Sequence, residues 1–308
     1  MDPTQFSNLL NSLDFKNPAS LSHAQLEFYQ AYKIDFSSRW PELKQLCGSI
    51  NSGDYKIAAY IYRFPSAQKN LILVHGYFDH TGLYGNLIEY GLSRGFNVVV
   101  FDLPGHGLST GMPLAVSDFK EYVQAFQDCL AICTQSLGED WRVIAQSTGC
   151  SVVMEYLLKQ PKVLFKSVVL LAPLVRPKSW RLIKLVYSLI KNRIDYVPRS
   201  FAKSSHNPDF LRFLRKDPLQ MKKISVRWVG ALISWVENFL STLPVNFPLL
   251  LIQGTSDNTV DWRYNLRQIV KKFPQTKVQY LHGARHHLVN ESEQYQVELF
   301  ALMDEYLI

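Results

Sequence analysis

The thirteen residues W-R-V-I-A-Q-S-T-G-C-S-V-V, Trp141 to Val153, decide how this chain is read. An apolar run of strand type ends at Gln146, a tight A-Q-S-T-G turn follows, and a helical pattern begins. The turn is one residue away from G-x-S-x-G, the elbow that lifts a serine to the exposed end of a strand. Strand and helix backbones pass closely at such a turn, so the positions two before and two after the serine must be small. Ala145 and Gly149 meet that need, Ala145 with one extra methyl group. A serine at a helix start is also a common N-cap. Taken alone, the stretch leaves Ser147 between these two roles.

Working outward, short runs rich in Val, Ile and Leu recur on both sides. They are N-L-I-L-V-H (70–75), N-V-V-V-F-D (97–102), W-R-V-I-A-Q (141–146), K-S-V-V-L-L-A (166–172), P-L-L-L-I-Q-G (248–254) and T-K-V-Q-Y-L (276–281). Runs this short and apolar fit strands buried on both faces of a parallel sheet. Residues 83–94, 114–135, 148–160, 261–272 and 290–307 carry helical spacing between them. Upstream, 21–36 reads as an amphipathic helix and D-Y-K-I-A-A-Y-I-Y-R-F (54–64) as a β-like stretch. The expected class is α/β: a mostly parallel central sheet flanked by helices. The alternation breaks between Pro173 and Pro244, too long an interval for a simple crossover. The expected organisation is therefore a core over 1–173 with a helical extension over about 1–40, a helical cap over 174–244, and a second part of the core over 245–308.

That cap carries the charge. The chain has 33 Lys and Arg against 26 Asp and Glu, net +7, yet residues 175–230 alone hold 14 Lys and Arg against Asp195, Asp209 and Asp217, net +11. The rest is mildly acidic. Cys47, Cys129, Cys133 and Cys150 form no C-x-x-C pair, and Cys129 and Cys133 share a helical pattern, so packed thiols are expected rather than a metal or redox site. The N-terminus has no basic region followed by an apolar stretch, and no uncharged apolar run approaches the ~18 residues of a membrane span. A soluble, cytoplasmic protein is expected.

A serine hydroxyl is a weak nucleophile until a base takes its proton, and an elbow on a parallel sheet is followed in the chain by an acid and then a histidine. After P-L-L-L-I-Q-G comes T-S-D-N-T-V-D-W, which places Asp257 at a strand end; its competitor Asp261 directly precedes a helix and suits an N-cap. After T-K-V-Q-Y-L comes H-G-A-R-H-H, where His282, His286 and His287 compete for the base. His286 is taken as the base, with His287 at the surface or behind the site. A zinc site from His282 and His286 would need a helix to align them, which Gly283 disfavours, and no third ligand is evident. Oxyanion donors are expected from the backbone N–H of Thr148 and of Tyr77, the latter in the turn H-G-Y-F-D-H (75–80). The turn D-L-P-G-H-G-L-S-T-G (102–111) lacks the Gly-Lys-Ser/Thr ending of a phosphate loop, so His106 and Ser109 are read as structural.

Five blocks now stand in order: H-G-Y-F-D-H-T-G-L-Y, F-D-L-P-G-H-G-L-S-T-G, A-Q-S-T-G, G-T-S-D-N-T-V-D and G-A-R-H-H-L-V-N-E. Together, over about 70–295, they resemble the monoacylglycerol lipase and lysophospholipase branch of the α/β-hydrolases, the serine aminopeptidase S33-like enzymes. The resemblance implies Ser147 as nucleophile, Asp257 as acid, His286 as base, Tyr77 and Thr148 as oxyanion donors, and a cap between the sixth and seventh core strands. The chain departs from the family pattern where Ala145 and Gln146 replace Gly-His, and where the bulky Tyr77 follows His-Gly.

The implied activity is hydrolysis of a carboxylic ester of a monoacyl lipid, without metal or organic cofactor. Tyr77, Phe78, Gln146, Trp180 and Tyr187 are the candidate substrate contacts. The basic, Trp-containing cap suits peripheral contact with an anionic membrane surface or a phosphate-bearing lipid, against the plain alternative of a solvated cationic face. No nucleic-acid recognition motif accompanies the charge. A peptidase, thioesterase or acyltransferase using the same three residues, or a hydrolase fold serving only to bind, remain the rival functions.

Overall fold

The computed structural model describes residues 10–15, 20–160, 163–200 and 203–308. Ten strands lie among them: β1 (Lys44–Ser52), β2 (Tyr55–Arg63), β3 (Asn70–Val74), β4 (Asn97–Phe101), β5 (Trp141–Gln146), β6 (Phe165–Leu171), β7 (Tyr196–Pro198), β8 (Lys223–Ser225), β9 (Leu250–Gly254) and β10 (Lys277–Leu281). The helices are α1 (His23–Ala31), α2 (Gly85–Ser93), α3 (Phe119–Leu137), α4 (Thr148–Lys159), α5 (Trp180–Ile190), α6 (Pro208–Lys216), α7 (Val226–Ser241), α8 (Trp262–Lys272) and α9 (Glu293–Leu307).

Eight strands form one sheet in the order β1-β2-β4-β3-β5-β6-β9-β10. From β4 to β10 every pairing is parallel, while β1–β2 and β2–β4 are antiparallel. All residues of β3, β4 and β5 are buried, which is why these strands read as continuous apolar runs rather than alternations. Successive side chains still diverge. Leu71 and Leu73 join the core under α1, α2 and α9, and Ile72 and Val74 join the core under α3, α4 and α7. Cys129 and Cys133 are free thiols buried in that second core, as their helical spacing suggested, and Cys150 is buried there too. Helix α3 begins where Asp118 and Glu121 form a capping box, later than the pattern beginning at residue 114 implied.

Two departures from the sequence-based expectation have local causes. Helix α1 stops at Ala31 rather than near 36, because Lys33 turns left-handed (φ 56°) and Ile34 N–H bonds back to Tyr29 O. Of the expected extension over 1–40, residues 1–9 and 16–19 lie outside the described residues, and α1 is the helix found in the rest. Edge strand β1 escapes the sequence pattern: its buried apolar residues Leu46 and Ile50 are too sparse for a strand signal. It pairs with β2 through a tight turn at Gly53 (φ 52°).

Between β6 and β9 the chain leaves the sheet and runs through α5, β7, α6, β8 and α7. Helical periodicity is right for W-R-L-I-K-L-V-Y-S-L-I, which is α5. The segment is not wholly helical, however, since β7 and β8 pair as a short antiparallel ladder. Helix α7 is bound to the core through Trp228, Leu232, Trp235 and Phe239, and Trp235 Nε1 donates to buried Glu155 (3.1 Å). Helix α5, by contrast, buries only Trp180.

Candidate active site

Strand β5 ends at Gln146, and the chain reverses in a single residue. Ser147 takes φ 53°, ψ −114°, its N–H bonds to Leu171 O of the neighbouring strand (2.9 Å), and α4 starts at Thr148. Such a backbone costs roughly 1–3 kcal/mol and persists only where neighbours over-determine it. They do so here by close approach. A Cβ on Gly149 would lie 2.3 Å from Val74 O, and one on Gly76 would lie 3.2 Å from Ser147 Cβ. Ala145 is buried with its methyl accommodated in the core, so the missing glycine of the elbow motif is tolerated sterically.

The structure brings Ser147, His286 and Asp257 together. His286 Nε2 lies 3.0 Å from Ser147 Oγ, and His286 Nδ1 lies 2.7 Å from Asp257 Oδ2. All three are buried, at 8 %, 8 % and 5 % exposure. Asp257 sits in the turn after β9, where its Oδ1 accepts Thr259 N–H (2.8 Å) and its Oδ2 accepts Gln253 Nε2 (3.1 Å). Burial alone would raise its pKa, but His286 and these donors together hold it below the ordinary carboxylate value. Burial likewise disfavours the imidazolium of His286, and Asp257 outweighs that, moving the base above the ordinary histidine value. A hydroxyl, a base and an orienting carboxylate in this order form a proton-transfer chain suited to nucleophilic attack.

The other candidates separate cleanly. His282 is exposed beside left-handed Gly283 (φ 85°), away from the trio. Asp261 does occupy the N-cap position of α8, but its carboxylate makes no cap bond and instead pairs with Arg176 (2.6 Å). His287 is not at the surface: it is buried, and its Nε2 lies 3.4 Å from Asp79 Oδ2. His106 and Ser109 hold the loop together, as expected. His106 Nδ1 donates to Pro104 O, and Ser109 Oγ accepts Ala58 N–H.

A cavity of about 470 Å³ opens beside Ser147. Tyr77, Phe78, Gln146, Thr148 and Tyr187 line it; Trp180 does not. The indole of Trp180 belongs to the second core, because the first residue of α5 faces the sheet while Leu182, Ile183, Val186 and Ile190 face the cavity. Gln146 also ties the elbow to the histidine loop, its Nε2 donating to His286 O (2.8 Å). The N–H of Tyr77 has no acceptor among the described residues, and that of Thr148 opens the first turn of α4, where N–H groups lack intrahelical acceptors.

Several residues here escape sequence reasoning. Asp79 lines the cavity and accepts Tyr84 OH (3.0 Å); burial alone would raise its pKa, but His287 overrides that and holds it well below the ordinary value. Gln253 and Arg199 belong to the same group. Asp79 stands in the H-G-Y-F-D-H block, where an acid beside the oxyanion turn is a usable signal. No comparable pattern marks Gln253 or Arg199.

The sequence profile of the family described as Serine aminopeptidase, S33 (Hydrolase_4) matches residues 65–293, most of the chain. The chain belongs to this family. All three members of the S33 chain's hydrogen-bonded trio, Ser147, Asp257 and His286, fall within that match. Among curated relatives, the human monoglyceride lipase is 28% identical over 254 residues, covering 78% of this chain and 82% of the relative. Phospholipase YtpA of Bacillus subtilis is 24% identical over 201 residues, covering 62% of this chain and 76% of the relative. The S33 chain shares its fold with a monoacylglycerol lipase from Paleococcus ferrophilus (TM-score 0.66, 24% identity, covering 82% of this chain and 97% of that one). It also superposes on a soluble variant of the Saccharomyces cerevisiae monoglyceride lipase, crystallised with a substrate analog (TM-score 0.71, 14% identity, covering 85% and 96%).

Proposed function

We propose that this chain is a serine hydrolase that cleaves a carboxylic ester of a monoacyl lipid through an acyl-enzyme. One observation carries the reading: the Ser147–His286–Asp257 hydrogen-bonded chain stands at the wall of a cavity lined largely by aliphatic side chains. Ser147 Oγ attacks the ester carbonyl while His286 Nε2 takes its proton. The C–O bond to the alcohol breaks as His286 returns that proton to the leaving oxygen. Water, deprotonated by His286, then releases the fatty acid. Asp257 keeps Nδ1–H oriented and stabilises the imidazolium, and the N–H groups of Tyr77 and Thr148 receive the oxyanion.

The cavity volume, about 470 Å³, lies within the range of small-molecule sites, and an apolar wall suits an acyl chain. A peptidase would need main-chain partners for an extended substrate, and the cavity offers side chains such as Leu182, Val186 and Ile224 instead. Monoglyceride lipases and a phospholipase among the relatives support an ester substrate. In this reading residues 174–244 act as a cap over the acyl site. Labelling by a fluorophosphonate probe that vanishes in Ser147→Ala, together with turnover of monoacylglycerol or lysophospholipid, tests the assignment. Wild-type protein that neither labels nor hydrolyses any ester of such a panel would refute it.

A second part of the reading concerns the cap surface. No helix among the described residues is long and apolar enough to cross a membrane. On α5, however, Leu182, Leu185 and Leu189 are 60 %, 58 % and 63 % exposed, with the exposed Arg181 and Lys184 beside them. Apolar residues rimmed by cations fit an anionic bilayer surface, each cation adding about 1 kcal/mol. Co-sedimentation with phosphatidylserine-containing vesicles, weakened by salt and by Leu185→Glu, is expected. Equal, salt-independent binding to zwitterionic vesicles would overturn this part.

A further inference from the structure

The turn that presents Tyr77 is held from the cap side by a line of amides. Gly76 O accepts the N–H of Asp79 (3.1 Å). That N–H belongs to the same peptide unit as the carbonyl of Phe78, which accepts Gln220 Nε2 (2.6 Å). Gln220 Oε1 in turn accepts Arg199 Nη1 (2.9 Å), and the Arg199 guanidinium sits 3.6 Å above the Phe78 ring. The order is therefore Arg199 guanidinium, Gln220 amide, Phe78–Asp79 peptide, Gly76–Tyr77 peptide. Every donor points the same way, and the last N–H of the series is that of Tyr77.

Three further contacts fix the ends of this turn. Tyr77 stacks on Trp228 (centroids 3.8 Å apart) and its hydroxyl accepts Ser225 N–H (3.2 Å). His80 Nε2 lies 2.8 Å from Asp217 Oδ2, with both side chains almost wholly buried. Phe78 is held at φ 73°, a conformation a non-glycine residue adopts only under constraint. Ser225, Trp228, Asp217, Gln220 and Arg199 all come from the segment between β6 and β9.

We propose that Arg199 and Gln220 form a hydrogen-bond relay that aims and polarises the Tyr77 N–H toward the oxyanion, making Gln220 a positioning residue for the reaction. The inference rests on the ester-hydrolase reading of the site. Aligned amides strengthen one another's hydrogen bonds, and here a cation stands at the donor end of the series. Negative charge developing on the substrate oxygen meets the far end of that series, so the relay acts on the transition state rather than on substrate binding. It also makes the cap part of the oxyanion site, since two of the relay's four members are cap residues.

Gln220→Glu is the decisive variant. It preserves size and the acceptor for Arg199, but sets a carboxylate oxygen against Phe78 O in place of a donor. Loss of a whole oxyanion donor slows enzymes about 100- to 1,000-fold, so a misaimed one is expected to lower kcat at least ~10-fold with KM within about twofold. Affinity for a trifluoromethyl ketone, which becomes an oxyanion on addition of Ser147, falls in parallel. Affinity for an uncleavable ether analogue of the substrate stays put. Gln220→Leu, which cannot donate, repeats the kcat loss should the Glu variant not fold. Arg199→Lys, retaining the charge, recovers more kcat than Arg199→Gln. Wild-type kcat and ketone affinity in both Gln220 variants would overturn the relay. The underlying hydrolase reading fails separately, by activity that survives Ser147→Ala.

Discussion

Gln146 Nε2 donates a 2.8 Å hydrogen bond to the carbonyl of His286, so the residue before Ser147 holds the residue proposed to activate it. Replacing it frees the histidine loop from the elbow without touching the three reacting side chains. Gln146→Ala is expected to reduce kcat by about tenfold, through looser Ser147–His286 geometry, with a loss of stability of about 1 kcal/mol. Steady-state kinetics and thermal melts measure both. Unchanged kcat would show that the loop is held adequately by other contacts.

The pH profile follows from the His286–Asp257 pair. On the proposed mechanism His286 must be neutral to accept the Ser147 proton, and its pKa is raised above the ordinary histidine value, ~6.5. Activity should therefore climb with pH along an acid limb centred above that figure. Asp257→Asn removes the main carboxylate that raises it and leaves burial opposed only by the more weakly acting Asp79, so the limb moves to lower pH. The rate should drop about 10⁴-fold as the imidazole loses its orientation. A kcat/KM profile of both proteins checks the two effects, and a limb that fails to move would count against the coupling.

Ala145 and Gly149 flank the elbow but carry different loads. Ala145→Gly should leave activity largely intact and cost about 0.5–1 kcal/mol in chain entropy. Gly149→Ala forces a methyl to 2.3 Å from Val74 O, and should cost at least ~1–3 kcal/mol while displacing Ser147. Denaturant melts and fluorophosphonate labelling rates distinguish the pair.

Asp217, in the segment between β6 and β9, is bound to His80 of the core through a pair with almost no solvent contact. Burial opposes both charges, yet each partner carries the other past it: His80 is raised and Asp217 lowered. The raised histidine contributes stability in full below its unfolded value, and loses it as pH rises through the folded value. The lowered aspartate contributes above its unfolded value, and loses it as pH falls through the folded one. The pair therefore stabilises most between about pH 4 and 6.5, and less above the folded His80 pKa. Asp217→Ala should cost about 3–5 kcal/mol within that window, with the deficit shrinking at alkaline pH. Chemical denaturation across pH reads it directly, and a deficit independent of pH would argue for packing alone.

The parallel core is legible because β3, β4 and β5 are buried on both faces and so advertise themselves as unbroken apolar runs. Ser147, Asp257 and His286 are legible because each follows such a run, where a strand end is the expected place for them. Residues whose roles depend on pairing across the chain are not. Gln220 meets Phe78, 142 positions away, and Asp217 meets His80, 137 away, with nothing local to announce either. Trp180 fails for a related reason: a helix period shows that α5 has faces, but not which of them turns toward the cavity. The same blindness hides β7 and β8, three-residue strands too short to carry a period.

The backbone at Ser147, with φ 53° and ψ −114°, restricts which side chain can stand at the position of the proposed nucleophile. Residues branched at Cβ are genuine outliers at positive φ, since both substituents crowd the main chain. Threonine, whose hydroxyl is chemically close to that of serine, is thereby excluded by shape before reactivity is ever tested. Only an unbranched side chain fits the elbow, so the choice between alcohol and thiol stays open to evolution here while the secondary alcohol does not.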